Sequence, residues 1–259
     1  ELQGRHPRLV YGRVTGWGQI GPMSDRVGHD LNYIALSGAL HPMGEPGRPP
    51  RPPLNLVGDY GGGAMFLVAG VLAALLEART TERGRVVDAA MTDGSALLTS
   101  LFHAFRARGL WSDARGANLL DGGAPFYRCY ACRDGRFVAV GALEPRFYGA
   151  LLAGLGIPPE EAPQFDIAGW PALHARFEAL FATRDRDQWA SVFEGTEACV
   201  TPVLSLGEAP AHPHNAARGT FIDAAPVQPA PAPRFDAAPP VPKPQPAPLS
   251  LDEALARWA

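Results

Sequence analysis

The chain has 259 residues and a formal net charge of −3; 46% of its residues are hydrophobic and 19% are charged. This composition is typical of a globular protein, and the length allows one large domain or two modest ones. No basic excess favours a nucleic-acid partner, and the longest apolar run, residues 64–76, is shorter than a membrane span. No signal-peptide pattern opens the chain, so we predict a soluble, cytoplasmic protein without a membrane segment.

The first elements in chain order are a strand and a short helix. Residues 9–14 form a β-branched and aromatic run that ends at a glycine-rich loop. Residues 27–40 place apolar side chains at helical spacing, so His29 and Asp30 are predicted in the first turn of a helix. Residues 42–53 contain six prolines and are predicted to form an extended surface loop.

The strongest helical pattern in the chain follows at residues 61–79. It is apolar on nearly all faces, which predicts a buried helix. Residues 85–91 predict a second strand, and Asp93 is expected to cap a helix that reaches about residue 108. The alternation of strand and helix is typical of an α/β layer structure.

The pattern changes after residue 120. Two β-rich runs, 126–132 and 136–141, flank Arg133-Asp134-Gly135 and predict a hairpin. Helical patterns follow at residues 146–155, 170–183 and 186–193, the last with Asp185 as its N-cap. These elements predict a second, smaller α+β unit.

The C-terminal part is rich in proline. Ten prolines lie between residues 226 and 248, which is typical of an extended connector rather than a packed core. A short helical pattern at residues 249–258 is expected to dock back on the first domain. At the other end, the chain opens on a strand pattern without a preceding helix or cap, so we expect it to begin part-way through a fold.

The three cysteines do not predict a disulfide framework, and their odd number fits a reducing compartment. Cys129 and Cys132 form a C-x-x-C, with Cys199, His212 and His214 as further possible ligands. A zinc site usually has two compact ligand pairs, and the second pair is missing here. We therefore expect no metal site and interpret the two cysteines as small buried side chains at the end of a strand.

Asp59 is the best candidate for chemistry. It precedes Gly61-Gly62-Gly63 at the start of the long helical pattern, where free backbone N–H groups and the helix dipole favour an anion. A plain N-cap aspartate explains the same pattern. The glycines favour a functional role, since they let a ligand approach the backbone, and such a helix N-terminus can stabilise an enolate oxygen.

Three further residues have two interpretations each. His29 suits proton exchange at neutral pH, although a lone histidine is more often structural. Glu144 lies between a predicted strand and helix, where a first-turn glutamate is also common. Asp121 is either part of a turn or part of a cleft wall. No Walker loop, His-Glu-x-x-His or Gly-x-Ser-x-Gly motif is present.

Seven segments together resemble a known family. Along nearly the whole chain, and in order, they are similar to the alpha-methylacyl-CoA racemases of the family III CoA-transferase superfamily; only the stretch after about residue 224 has diverged. The segments are residues 13–22, 28–38, 53–63, 84–91, 115–127, 140–148 and 195–204.

The resemblance implies an acyl-CoA thioester as substrate, with CoA as part of that substrate and no separate cofactor. Asp59 matches the carboxylate shared by the superfamily, which is a nucleophile in the transferases and a base in the racemases. His29 and Glu144 match the additional acid/base pair of the racemases. The positions that match the thioester pocket are Asp30, Tyr33, Asn55 and Gly58.

This implied site suits a 1,1-proton transfer. Removing the weakly acidic α-proton of a thioester needs a base and a stabilised enolate, and inversion needs a second group on the opposite face. We expect His29, supported by Glu144, to serve one face and Asp59 the other. One alternative is a CoA-transferase in which Asp59 forms an acyl anhydride, although His29 and Glu144 speak against it. The non-enzyme alternative is an inactive fragment that dimerises.

The resemblance also implies an interlocked homodimer with an α/β fold, in which each chain has a Rossmann-like large domain and a small α+β domain. Relatives carry roughly a hundred further residues at the N-terminus, so the large domain is expected to be incomplete. The predicted parts are residues 1–108 of the large domain with His29 and Asp59, a linker at 109–125, the small domain at 126–205 with Glu144, a proline-rich return linker at 206–248, and a docking C-terminal helix at 249–259.

Overall fold

The fold was analysed in a computed structural model, which describes residues 2–222, 226–236 and 249–256. The chain divides into two compact units, one up to residue 202 and one from residue 203 onward. The predicted domains at 1–108 and 126–205 therefore fall almost entirely within the first unit. The predicted domain boundaries remain a prediction.

The first half of the first unit is built on two parallel strands. Its elements are α1 (Leu2–Arg5), β1 (Tyr11–Thr15), α2 (Asp30–Leu36), a π-helix (Leu56–Ala64), α3 (Met65–Thr81), β2 (Val86–Ala90), α4 (Met91–Leu98) and α5 (Ser100–Ala107). β1 pairs with β2 from Tyr11 opposite Val86 to Thr15 opposite Ala90. Parallel strands require a long crossover, which here consists of α2, the π-helix and α3.

The second half of the first unit contains the strands and helices predicted for the small α+β domain. We call this half, from β3 to β5, the α+β unit. Its elements are β3 (Tyr127–Ala131), β4 (Phe137–Gly141), α6 (Pro145–Leu155), α7 (Trp170–Phe181), α8 (Arg186–Phe193) and β5 (Val200–Pro202). The strands form an antiparallel sheet in the order β3-β4-β5, and the predicted hairpin is confirmed. Asp185 is the N-cap of α8, as predicted. Tyr130 on β3 packs against Phe177 and Phe181 of α7, which places the apolar core between the sheet and this helix.

The second unit contains α9 (Pro213–Arg218), the antiparallel strands β6 (Phe221–Ile222) and β7 (Gln228–Pro229), and α10 (Leu251–Ala256). The predicted proline-rich connector is described only over residues 226–236, where it includes β7; its residues 237–248 lie outside the described part. The predicted C-terminal helix is confirmed over α10, and Trp258 lies outside the described residues. Its docking stays a prediction.

The expectation that the long helical segment is buried is wrong. In α3 only Ala74 and Ala78 are buried, whereas Leu72 is 57% and Leu76 64% exposed. One face of the helix lies close to β2. A Cβ on Gly70 would lie only 2.6 Å from a Val87 methyl carbon. The other apolar faces have no cover among the described residues.

The apolar helical segment is also longer than the run of residues 64–76 indicated by the sequence. The π-helix and α3 run without a break over Leu56–Thr81, which has 26 residues and a mean hydropathy of 1.8 over its most apolar window. By length and composition alone such a helix is able to cross a membrane, as core helices of soluble proteins also are. The expectation of no membrane segment therefore remains a prediction.

The helix after β2 also differs from the prediction. It begins directly at Met91 with Ala90 as N-cap, so Asp93 lies in the first turn and does not cap it. Thr99 interrupts the predicted continuous helix, which divides into α4 and α5. At the start of α4, the Thr92 side chain and N–H both donate to the Gly16 carbonyl at 2.9 and 3.1 Å, which joins the ends of β1 and β2.

Candidate active site

Asp59 is the fourth residue of the π-helix, a rare geometry that occurs often at functional sites. Its carboxylate Oδ2 accepts a hydrogen bond from Asn55 Nδ2 at 3.1 Å, so the two predicted site residues are in contact. The glycines after Asp59 allow close packing on α4, because a Cβ on Gly62 would lie 2.7 Å from the Ser95 nitrogen. The glycine run is thus required by a helix-to-helix approach.

The side chain of Asp30 binds backbone N–H groups that we expected to be free. Its side chain is buried, and Oδ2 accepts hydrogen bonds from the N–H of Gly58 at 2.6 Å and of Asp59 at 2.8 Å. The anion at the N-terminal turn of the π-helix is therefore Asp30 itself. The N–H groups of Gly58 and Asp59 are therefore already engaged and are not available to an enolate oxygen.

Tyr33 fixes the loop in front of His29. Its hydroxyl donates to the Gly28 carbonyl, and its ring packs edge-on against Trp17 with centroids 4.7 Å apart. Burial, together with the negative charge of Asp59, raises the pKa of Tyr33 above its ordinary value, so the phenol stays protonated and remains a donor. A Cβ on Gly16 would lie 2.1 Å from this ring, which explains the glycine there.

His29 lies next to this cluster with its side chain exposed. It is the N-cap residue of α2, and its backbone N–H donates to Asn32 Oδ1 at 3.0 Å. Asp30 follows His29 directly, and its side chain binds the backbone N–H of Asp59. Asp30 therefore links His29 to Asp59. The structure therefore brings five predicted residues together beside His29: Asp30, Tyr33, Asn55, Gly58 and Asp59.

Glu144 is not part of this cluster in the single chain. It is the exposed N-cap residue of α6, in the α+β unit. Burial raises the pKa of the Cys199 thiol, and the charge of Glu144 contributes to that rise, which places Glu144 near Cys199. Within the described ranges, no hydrogen bond or ion pair joins Glu144 to His29.

An apolar cavity of about 410 Å³ lies against the same π-helix. Its wall includes Val57, two residues before Asp59, together with Leu98, Phe102, Trp111 and Leu120. Sequence analysis missed these residues because they come from different elements. The only signal was the apolar character of the α4 and α5 segment. Asp121, left open as turn or cleft residue, does both: it accepts the Gly116 and Asn118 N–H groups and lines this cavity.

The cysteines do not form a ligand set in the described part of the chain. Cys132 is buried, but Cys129 is exposed on β3, contrary to the expectation that both are buried. Among the residues that the structure describes, no group of three or more His, Cys, Asp or Glu side chains is arranged to hold a metal ion.

Sequence comparison identifies the family. Residues 1–250 match the profile of CoA-transferase family III. The chain belongs to this family. It is 47% identical over 229 residues to an alpha-methylacyl-CoA racemase of Mus musculus and 45% identical over 235 residues to one of Homo sapiens. These matches cover 88% and 90% of the chain, but only 60% and 62% of the relatives, so the chain spans about three fifths of their length.

The fold agrees with this assignment. A CAIB/BAIF family protein from Brucella suis superposes with a TM-score of 0.76 at 24% sequence identity, covering 99% of this chain and 69% of the other. The predicted mixed α/β fold of the family is therefore confirmed.

Proposed function

We propose that the protein is a racemase that interconverts (R)- and (S)-2-methylacyl-CoA thioesters. The observation that carries the proposal is the hydrogen bond from the Asp59 backbone N–H to the Asp30 side chain. This bond brings together the two segments that carry His29 and Asp59. The high identity to two racemases over almost the whole chain supports the same chemistry. Because each step is a proton transfer, no separate cofactor is required.

In this proposal Asp59 removes the α-proton on one face of the substrate, and the electron pair moves onto the thioester carbonyl to give an enolate. His29 in its protonated form returns a proton to the opposite face. Asn55 orients the Asp59 carboxylate through its side-chain N–H. In the reverse direction the two groups exchange roles, so both must be able to hold a proton.

The enolate oxygen needs a donor other than the N–H groups held by Asp30. Among the described residues, the N–H groups of Asp30 and Leu31 in the first turn of α2 have no acceptor. They lie beside His29 and are the donors that we assign to the enolate. The apolar cavity beside Val57 suits the branched acyl chain.

The test is incubation of a single 2-methylacyl-CoA enantiomer in deuterated water. We expect deuterium at Cα without any added carboxylic acid, and an about 10²- to 10⁴-fold slower exchange in Asp59→Asn and in His29→Ala. Asp93→Asn, which changes an exposed aspartate in α4, is the matched control and should exchange at the wild-type rate.

Three results would contradict the proposal. Wild-type exchange rates in both site variants would exclude the assigned residues. Reaction only after addition of an acceptor acid would identify a CoA-transferase, with Asp59 as nucleophile. The absence of heat in a titration with acyl-CoA would identify a chain that does not bind the substrate.

We further propose that two chains interlock and that Glu144 of the partner subunit supports His29. Both side chains are exposed, and no contact joins them within the described residues of one chain. The exposed apolar residues of α3 add surface that a second chain is able to cover. Light scattering should give twice the 27.5 kDa mass of the chain. A single-chain mass in a fully active sample would contradict the dimer.

A further inference from the structure

We propose that the carboxylate of Asp30 is a positioning residue: it fixes the backbone of Asp59 relative to His29, so that one side chain sets the geometry of both proton-transfer groups. The inference rests on the proposed racemase function and adds to it. It assigns the side chain of Asp30 to the protein backbone, whereas the resemblance assigned this residue to the thioester pocket.

The first argument is the geometry of the contact. A single oxygen, Oδ2, accepts two successive N–H groups, from Gly58 at 2.6 Å and Asp59 at 2.8 Å. Hydrogen bonds to a charged acceptor are shorter and stronger than neutral ones, and only 5% of the Asp30 surface is exposed. The contact therefore restrains the backbone at the residue that carries the proposed base.

The second argument concerns the other end of Asp30. Asp30 is the first residue of α2, and His29 precedes it directly. Asn32 Oδ1 accepts the His29 N–H, and the Tyr33 hydroxyl donates to the Gly28 carbonyl, so the backbone on both sides of His29 is held. A shift of the Asp30 side chain would therefore change the separation between His29 and Asp59.

The third argument is the environment of the carboxylate. Its second oxygen, Oδ1, is buried and has no hydrogen-bond partner among the described residues. An unpaired buried oxygen destabilises a fold. If Asp30 only capped the π-helix, a side chain without this second oxygen would make the fold more stable. Gly58 is matched to it, since a Cβ there would lie 2.7 Å from Asp30 Oδ2.

The experiment uses two variants of the full chain and a matched control. Asp30→Ala removes the acceptor, whereas Asp30→Asn keeps a neutral oxygen acceptor in the same place. Asp134→Ala is the control, because Asp134 Oδ1 likewise accepts two backbone N–H groups, from Arg136 and from Arg186 of α8, far from Asp59 in sequence.

Amide hydrogen exchange, measured by NMR, tests the contact without any activity. In Asp30→Ala we expect the Gly58 and Asp59 amides to exchange at least about ten-fold faster, while the core amides of α7 keep their protection. Asp134→Ala should leave the two amides unchanged. Unchanged protection of Gly58 and Asp59 in Asp30→Ala would overturn the proposal.

Exchange of the substrate α-proton tests the consequence. We expect Asp30→Ala to lower kcat about a hundred-fold with little change in KM, and by the same factor from either enantiomer, because both catalytic groups are displaced. Asp30→Asn should recover most of kcat. A loss confined to one enantiomer, or a kcat close to wild type, would overturn the proposal. If the wild-type chain itself shows no exchange, the racemase function fails instead, and the amide measurement still decides whether Asp30 holds the backbone.

Discussion

The two halves of the first unit are stabilised in different ways. The half that ends at residue 202 has a continuous core of buried side chains between residues 124 and 198, with aromatic members such as Phe126, Phe177 and Phe181. In the half that carries Asp59, the buried apolar residues among positions 2–110 are Tyr33, Ile34 and five alanines. The larger apolar side chains of α3, such as Leu72, lie at the surface.

This difference shows what each half depends on. Side chains packed against each other hold the α+β unit together. The site half relies on close backbone approaches at glycines, on the paired strands β1 and β2, and on the hydrogen bonds of Asp30. Its apolar surface is mostly uncovered in a single chain, which fits the proposed association of two chains.

Combining two inactive variants tests whether the site half of one chain works with the α+β unit of another. His29→Ala and Glu144→Gln are expected to be nearly inactive alone, and their co-expressed mixture should regain about a quarter of wild-type activity. Half of the dimers would be mixed, and each mixed dimer would hold one intact pair with His29 and Glu144 from different chains. Racemisation of an acyl-CoA by the purified mixture measures this recovery.

A mixture as inactive as the separate variants would place both residues in one chain and contradict the exchange between subunits. Co-expression of His29→Ala with Asp59→Asn is the matched control. Both of these residues belong to the same half, so if they act within one chain the mixed dimer should regain no activity, because each of its sites would then carry one substituted residue.

The core of the α+β unit should be the most sensitive to truncation. Phe177 is fully buried, so Phe177→Ala should lower the free energy of unfolding by about 3–5 kcal/mol. Leu72→Ala on α3 should cost less than about 1 kcal/mol, since Leu72 is 57% exposed. Urea titration of dilute protein measures both; equal losses would remove the distinction between the halves.

The glycine contacts of the site half can be tested by adding one methyl group. A Cβ on Gly94 would lie 1.9 Å from the Gly62 carbonyl oxygen, so Gly94→Ala should destabilise the fold by about 1–3 kcal/mol. Gly149 in α6 has open space around it, and Gly149→Ala should stabilise the fold by about 0.5–1 kcal/mol. Thermal unfolding compares the two, and effects of the same sign would contradict the close approach between α4 and the π-helix.

Most of the element order was predictable from local patterns. The hairpin at β3 and β4, the cap at Asp185 and the helix that follows His29 depend on short-range rules, and the structure confirms them. The burial of α3 was not predictable, because apolar composition does not specify whether another element is present to cover the helix. The break at Thr99 also had no clear sequence signal.

For the site, the sequence indicated the residues but not their contacts. Asp59 and Asp30 were each recognised, yet their separation along the chain hides the fact that one carboxylate binds the backbone of the other. The π-helix was likewise beyond local rules, although the three glycines were a sign of unusual backbone. Glu144 illustrates the opposite limit: the resemblance groups it with His29, whereas a single chain does not bring them into contact.

The π-helix also has a consequence for insertions and deletions. Its hydrogen bonds join residues five apart instead of four, so each bonded ring contains one residue more than in an α-helix. Deleting one glycine from Gly61–Gly63 would let the segment relax to α-helical bonding while α3 keeps its place on β2. The cost would fall on Asp59, whose side chain would rotate around the helix axis. A single-codon deletion at this point should therefore change both the orientation of the Asp59 carboxylate and the contact of its backbone with Asp30.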